Sequence, residues 1–88
     1  MLLKRGQDLV ATGDISGGRL LLTRAAEAGD ARAAFALGST HDSAVVATLG
    51  VVGAFPDPAK ARAWYARAAE QGSTEAARRL EQPHLRQR

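Results

Sequence analysis

The chain has 88 residues, of which 45% are hydrophobic and none is cysteine. This length corresponds to one small domain, and the lack of cysteine excludes disulfides, thiolate catalysis and zinc–sulfur sites. Alanine and leucine dominate the apolar residues, and their high helix propensity favours an all-α fold. The formal net charge of +3 arises near the C-terminus, and a neutral body with a basic end is weak evidence for a phosphate-binding face. The basic residues at that end are Arg78, Arg79, Arg86 and Arg88.

No segment reaches the roughly 20 apolar residues that a membrane-spanning helix needs. The first residues also lack the apolar run of a secretory signal peptide. The sequence therefore predicts a soluble chain with no membrane span. It does not determine the compartment: the cytoplasm is the default expectation, and the periplasm is the alternative for a piece cut from a longer chain.

The first half of the chain predicts three helices separated by glycine. Residues 2 to about 11 form the first, because leucine and valine recur there at helical spacing. Gly13-Asp14 then ends this helix and caps a second one, which runs to about residue 28. Gly29-Asp30 repeats the same stop-and-cap pattern before a third helix, from residue 31 to roughly residue 41.

The stretch 42–55 is the irregular part of the chain. Its apolar portion, residues 43–49, either extends the third helix or forms a short separate one. Gly50 and Gly53 interrupt any long helix, so we expect a break or a loop over residues 51–56. This stretch supplies bulky groups that the alanine-rich helices lack, namely Val45, Val46, Leu49, Val52 and Phe55.

Two further helices are predicted after this break. Asp57-Pro58 is a favourable start, because aspartate caps and proline suits the first turn. That helix ends at Gly72, and an apolar stripe containing Trp64-Tyr65 predicts its core face. Ser73 then caps a last helix that runs to about residue 82. Residues 83–88 are predicted to be a disordered basic tail.

Residues 14–37 and 57–80 resemble each other at a constant offset of 43 residues. The identical pairs are Asp14/Asp57, Arg19/Arg62, Arg24/Arg67, Ala25/Ala68, Ala26/Ala69, Glu27/Glu70, Gly29/Gly72, Ala33/Ala76, Ala34/Ala77 and Leu37/Leu80. A period of this size is typical of arrays of helical hairpins. Gly18 aligns with Ala61, which predicts a position where two helices touch and only a small residue fits.

The repeat predicts one domain, residues 1–82. Its units are about 2–29 and 30–72, followed by a half-unit 73–82. In the last helix Arg78-Arg79 replaces the Phe35-Ala36 of the third helix, and a polar outer face is what the terminal unit of a solenoid needs. The array is therefore expected to end with this helix.

These residues also resemble a known family. Leu37-Gly38, Gly50-Val51, Asp57-Pro-Ala-Lys-Ala and Trp64-Tyr65-Ala-Arg-Ala-Ala-Glu-Gln-Gly72, ending in Ala76-Ala77 and Leu80, are similar to the Sel1-like repeat. That family is a branch of the tetratricopeptide-like (TPR-like) α-solenoids. The upstream copy, from Gly13-Asp14 to Leu37-Gly38, is similar but looser, and together the two copies cover roughly residues 6–80.

The resemblance implies an α-solenoid of antiparallel helical hairpins with about five to six helices. It also implies an adaptor or scaffold that recognises a partner protein or peptide, with no enzyme activity, no cofactor and no small-molecule substrate. Two departures fall in one place: His41 stands where the family has tyrosine, and the segment before Gly50 is longer than usual by about two helical turns. The resemblance therefore predicts the geometry of that hairpin less well than that of the rest of the chain.

In related solenoids the first helix of each hairpin lines the concave surface. On the third helix, four side chains at helical spacing form one face, and we expect this face to contact the partner. They are Arg32, Phe35, Ser39 and Asp42. Phe35 would be the anchor of this site. The alternative is that Phe35 packs on the neighbouring hairpin. The opposite face, which includes Leu37 and His41, is expected to pack inside its own hairpin.

Other functions have weaker support in the sequence. His41-Asp42 is the one pair that resembles catalytic chemistry, but adjacent helical residues point about 100° apart. Two histidines, His41 and His84, do not make a recognisable metal site. The alternative function is a structural or regulatory end-domain that docks within its own longer chain. Nucleic-acid binding through the C-terminal arginines ranks lower and would weaken steeply with salt.

Overall fold

A computed structural model describes residues 1–49 and 55–86 of the chain. Within these ranges it contains six helices and no strand: α1 (Leu2–Ala11), α2 (Ile15–Glu27), α3 (Ala31–His41), α4 (Ser43–Leu49), α5 (Pro58–Glu70) and α6 (Thr74–Leu80). The predicted all-α class is confirmed. Among these helices none combines the length and the apolar character that a membrane span requires.

The predicted N-caps of α2, α3, α5 and α6 are confirmed by side-chain hydrogen bonds at the start of each of these four helices. The Asp14 carboxylate accepts the Gly17 N–H at 2.9 Å, and the Asp57 carboxylate accepts the Lys60 N–H at 3.2 Å. Asp30 and Ser73 cap α3 and α6 in the same way, by accepting the N–H of Arg32 and of Ala76. Each cap satisfies a backbone donor that the helix itself leaves unpaired.

Gly29 and Gly72 end the two long helices with the backbone in the left-handed region, at φ of 99° and 105°. A residue with a Cβ atom is disfavoured in this region of backbone conformation, so glycine is the residue that fits both turns. The chain reverses there within three residues, which brings α3 back against α2 and α6 back against α5.

The helices together form a flat body. The Cα atoms span 33 × 29 × 16 Å, and 16 Å is the thickness of two helices packed 8–10 Å apart. Along the chain α1 packs on α2, α2 on α3, α3 on α5 and α5 on α6, with α4 against the end of α3. The core runs through these contacts and is mainly alanine, and its largest fully buried apolar side chains are Leu22, Leu37, Tyr65 and Leu85.

Gly18 lies where α2 crosses α1, as its alignment with Ala61 predicted. A Cβ atom at Gly18 would approach the Gly6 carbonyl oxygen to 2.8 Å and Val10 Cγ2 to 2.5 Å, which no real side chain tolerates. Gly6 faces the same crossing from α1, where its own Cβ would meet Leu22. Two glycines therefore let these helices approach closely, and Ala61 is fully buried at the aligned position of α5.

The irregular segment begins as a separate helix. Asp42 has extended backbone angles (φ −76°, ψ 122°), so α3 ends there and α4 starts at Ser43. Residues 55–57 are not helical, and the Asp57 N–H donates to the His41 carbonyl at 2.8 Å. The glycines at 50 and 53, and most of the predicted loop over 51–56, lie outside the described residues.

The prediction of a disordered tail from residue 83 is wrong for residues 83–86. Leu85 is 1% exposed and belongs to the core, and His84 Nε2 lies 2.8 Å from a carboxylate oxygen of Asp42. Leu85 is a single apolar residue among polar neighbours, so the sequence shows no hydrophobic periodicity there. Its burial against the helices could therefore not be predicted. Residues 87–88 lie outside the described part of the chain.

Candidate functional site

The four residues expected to contact a partner have unlike environments. Arg32 is exposed and pairs with Asp30 at 3.3 Å, whereas Phe35 and Ser39 are half-buried on the same face of α3. Asp42 is 0% exposed. An enclosed carboxylate cannot touch a partner at the surface, so its inclusion in a contact face is corrected: Asp42 belongs to the interior.

Phe35 lines a concave groove between α1, α3 and α4, with a volume of about 270 Å³. We call it the Phe35 groove. Its lining is Gln7, Val10, Ala11, Leu22, Phe35, Ala36, Ser39, Thr40 and Val45. Most of these side chains are apolar, and the polar ones are uncharged. A groove of this kind suits a bulky apolar side chain more than a charged ligand.

A second depression adjoins the Phe35 groove. It lies between α1, α3 and the start of α6, has a volume of about 440 Å³, and is bordered by Leu3, Gln7, Arg32, Phe35, Ser73 and Glu75. Gln7 and Phe35 line both depressions. The two therefore form one surface with Phe35 between them, apolar on one side and carrying charges of both signs on the other.

The Phe35 ring contacts an aromatic ring and a guanidinium group. Its centroid lies 5.4 Å from that of Tyr65, with the ring planes tilted by 39°. The Arg79 guanidinium lies 5.2 Å from the Phe35 centroid, in the range of a cation–π contact. Phe35 thus packs against the core, while part of its side chain remains on the groove surface.

Asp42 is the centre of a polar cluster beneath this surface. One carboxylate oxygen, Oδ2, accepts the Tyr65 hydroxyl at 2.8 Å and Arg79 Nη1 at 3.4 Å. The other, Oδ1, lies 2.8 Å from His84 Nε2 and accepts the Ala44 N–H at 3.0 Å. A buried carboxylate is costly unless it is fully paired, and these four donors supply the pairing.

These contacts set the protonation of the cluster. Burial by itself raises the pKa of Asp42, but hydrogen bonds from His84, Tyr65 and the Ala44 N–H, with the charge of His84, outweigh it and leave that pKa below its ordinary value. Burial first, and then the adjacent carboxylate, raise the pKa of Tyr65 to about 12 despite the opposing hydrogen bond with Ser39. The cluster therefore holds an ionised Asp42 beside a neutral Tyr65 hydroxyl at neutral pH.

His41 and Asp42, the pair with a catalytic appearance, do not hydrogen-bond to each other. The His41 side chain faces the core side and is 8% exposed. Burial, with the nearby charges of Arg19 and Lys60, lowers the pKa of His41 to about 4. His41 is thus a neutral, buried residue at neutral pH.

Other predicted features are placed as follows. Tyr65 is fully buried as predicted, while Trp64 is half-buried with the Arg67 guanidinium 5.5 Å from its ring. Among the C-terminal arginines, Arg78 is exposed, Arg79 is engaged in the Asp42 cluster and Arg86 donates to the Glu81 carbonyl at 2.8 Å. Arg88 lies outside the described residues.

In residues 1–49 and 55–86, no three histidine or carboxylate side chains are grouped closely enough to hold a metal ion.

The site also contains residues that were not predicted from a local sequence pattern. Gln7 and Val10 of α1 face Phe35 across the groove, and their helical spacing of three could have identified a groove wall. Arg79 was interpreted as a solvent-facing end residue, but its side chain folds over Phe35 and Tyr65. His84 carried no local signal, because its partner lies 42 positions away.

Comparison with known proteins gave no relatives. No family model matches the chain, and neither the curated proteins nor the solved structures contain a significant match. The similarity to the Sel1-like repeat therefore depends on the motif residues alone.

Proposed function

We propose that this chain is a protein–protein interaction module that binds a peptide segment of a partner through the Phe35 groove. The observation that carries the proposal is the groove itself: an open concavity of about 270 Å³ with an apolar floor and an aromatic wall. A partner would insert one bulky apolar side chain there, and the half-buried Phe35 ring would be the anchor against which it packs.

The Sel1-like resemblance supports this function, because adaptor and scaffold roles are what that family implies. We propose further that the helices form an α-solenoid of hairpins. Aligned positions that behave alike support it: Gly29 and Gly72 both take positive φ, Asp14 and Asp57 both cap, and Gly18 and Ala61 are both buried. In such an array α1, α3 and α6 would line one surface, which is where the two joined depressions lie.

The neighbouring charges define a second feature of the partner. Arg32 and Glu75 border the depression that adjoins the groove, and Arg32 is already paired with Asp30. The surface therefore has no strong charge of one sign. A partner segment with an apolar anchor and few charges fits it better than a polyanion does.

The test is a selection of peptides from a displayed library on the whole chain, repeated on two variants. Phe35→Ala removes the groove wall. Phe55→Ala is the matched control, because Phe55 is 78% exposed and does not line the groove. We expect peptides with a bulky apolar residue to be enriched on the native chain and on Phe55→Ala. Their affinity for Phe35→Ala should fall by about tenfold or more, as truncation of an interface anchor does.

Thermal unfolding of both variants separates loss of binding from loss of folding. If Phe35→Ala captures the same peptides with the same affinity while its Tm falls, Phe35 is only a packing residue and the groove is not the binding site. If the selection enriches no peptide on the native chain, the proposed function itself is wrong.

A further inference from the structure

The segment 83–86, here called the C-terminal strap, is anchored to the helical body at two adjacent residues. Leu85 is 1% exposed and is part of the core, and its N–H donates to the Gln82 carbonyl at 2.9 Å. His84 reaches into the Asp42 cluster, where its Nε2 lies 2.8 Å from Asp42 Oδ1. The strap therefore closes over the buried carboxylate rather than lying free on the surface.

The same Asp42 oxygen also holds the start of α4. Oδ1 accepts the Ala44 N–H at 3.0 Å, and the Asp42 carbonyl accepts the N–H groups of Val45 and Val46 at 3.0 and 2.8 Å. Asp42 is thus both the N-terminal cap of α4 and the docking point of the strap. Its side chain cannot rotate away from His84 without also losing the Ala44 hydrogen bond.

Both walls of the Phe35 groove connect to this residue. Val45 of α4 lines the groove one residue beyond the capped Ala44. On the other side, Oδ2 is bound by Tyr65 and Arg79, and these two side chains contact the Phe35 ring. The position of Asp42 therefore determines where an aliphatic wall and an aromatic wall of the groove lie.

We propose that the C-terminal strap sets the shape of the Phe35 groove through Asp42. With His84 in place, the carboxylate is fixed and α4 stands against the groove. When His84 is removed, Asp42 Oδ1 loses the shorter of its two hydrogen bonds. A buried carboxylate that lacks a hydrogen-bond partner is unfavourable, so the Asp42 side chain moves toward solvent or toward Arg79. The first turn of α4 then loses its cap.

Each element packed around the Asp42 carboxylate contributes a group that faces it. The groups that face the Asp42 carboxylate are Tyr65 from α5, Arg79 from α6, His84 from the strap and the Ala44 N–H from α4. Both the imidazolium and the neutral tautomer with a proton on Nε2 donate to a carboxylate. Movement or covering of the strap, rather than its charge alone, is what would change the groove.

Amide hydrogen exchange on the full chain tests this coupling without any partner, so it is independent of the proposed binding function. The variant is His84→Ala, and Arg86→Ala is the control in the same strap, since the Arg86 side chain donates to the Glu81 carbonyl and, within the described residues, not to Asp42. We expect the Ala44 and Val45 amides to exchange about tenfold faster in His84→Ala, the order of effect of losing a hydrogen bond to a charged group. The Val45 methyl resonances should shift as well.

The amides of Leu22 and Leu37, in the fully buried core, serve as the internal reference. Their exchange should be unchanged in His84→Ala, and all four amides should be unchanged in Arg86→Ala. The proposal is overturned if the effect of His84→Ala stays within residues 82–86. It is also overturned if every amide accelerates equally, or if Arg86→Ala produces the same change at α4.

Discussion

Asp42 is buried, although its position in the helical pattern of α3 predicts an exposed side chain. It follows three surface-facing positions of α3 at helical spacing, so the pattern placed it on the same exposed face. The backbone turns at Asp42, and α5, α6 and the strap then close around its side chain. A helical wheel contains no information about elements that arrive later in the chain, and for this reason the burial could not be predicted.

The pKa of Asp42 leads to a pH-dependent stability. Because that pKa is lower in the folded chain than in the unfolded one, ionised Asp42 stabilises the fold at pH values above the unfolded pKa, and this contribution is lost as pH falls through the folded pKa. Asp42→Asn removes the charge and should cost about 2 kcal/mol at neutral pH, the scale of hydrogen bonds to a charged group.

Thermal unfolding from neutral to acidic pH measures this effect. The difference in Tm between the native chain and Asp42→Asn should shrink as pH falls below the ordinary range of aspartate. Asp8→Asn is the control, because Asp8 is exposed and forms only a surface pair with Lys4 at 3.5 Å. A difference in Tm that stays constant across this range would show that the Asp42 charge does not stabilise the fold.

At the scale of the elements, most of the structure could be predicted. Glycine stops and aspartate or serine caps are local signals, and they located the starts of α2, α3, α5 and α6. The strap was missed because its hold on the body depends on Leu85 and on a partner far away in sequence. The choice between one long helix and two at residue 42 was also left open, since both have the same local propensity.

The crossing of α1 and α2 gives a prediction about helix packing. Gly18→Ala should gain up to about 1 kcal/mol in helix propensity. It should lose more than that, because the added Cβ meets the Gly6 carbonyl and Val10 and overpacking costs about 1–3 kcal/mol. We therefore expect a lower Tm. Ser16→Ala, at an exposed position of the same helix, should change Tm little. A rise in Tm for Gly18→Ala would mean that the helices are not in close contact there.

At the scale of the whole molecule, the Cα atoms form a flat body of 33 × 29 × 16 Å, and residues of α1, α3 and α4 line the Phe35 groove. The sequence pattern identified Phe35 as an anchor candidate but could not define the groove, because its walls come from helices that are separate in sequence. Asp42 was expected to contact the partner, but its carboxylate is buried beneath the groove, where it binds Tyr65, Arg79 and His84.

The most direct measurement of the central claim is a chemical-shift titration of the isotopically labelled full chain with a peptide obtained from the selection. We predict that the resonances which move first and furthest belong to Gln7, Val10, Phe35, Ala36 and Val45, which line the groove. The same titration of Phe35→Ala should require about tenfold more peptide. Shifts concentrated instead on the outer face of α5, around Ala59 and Ala63, or on the C-terminal arginines, with Phe35 unmoved, would contradict the proposal that this groove is where the chain binds its partner.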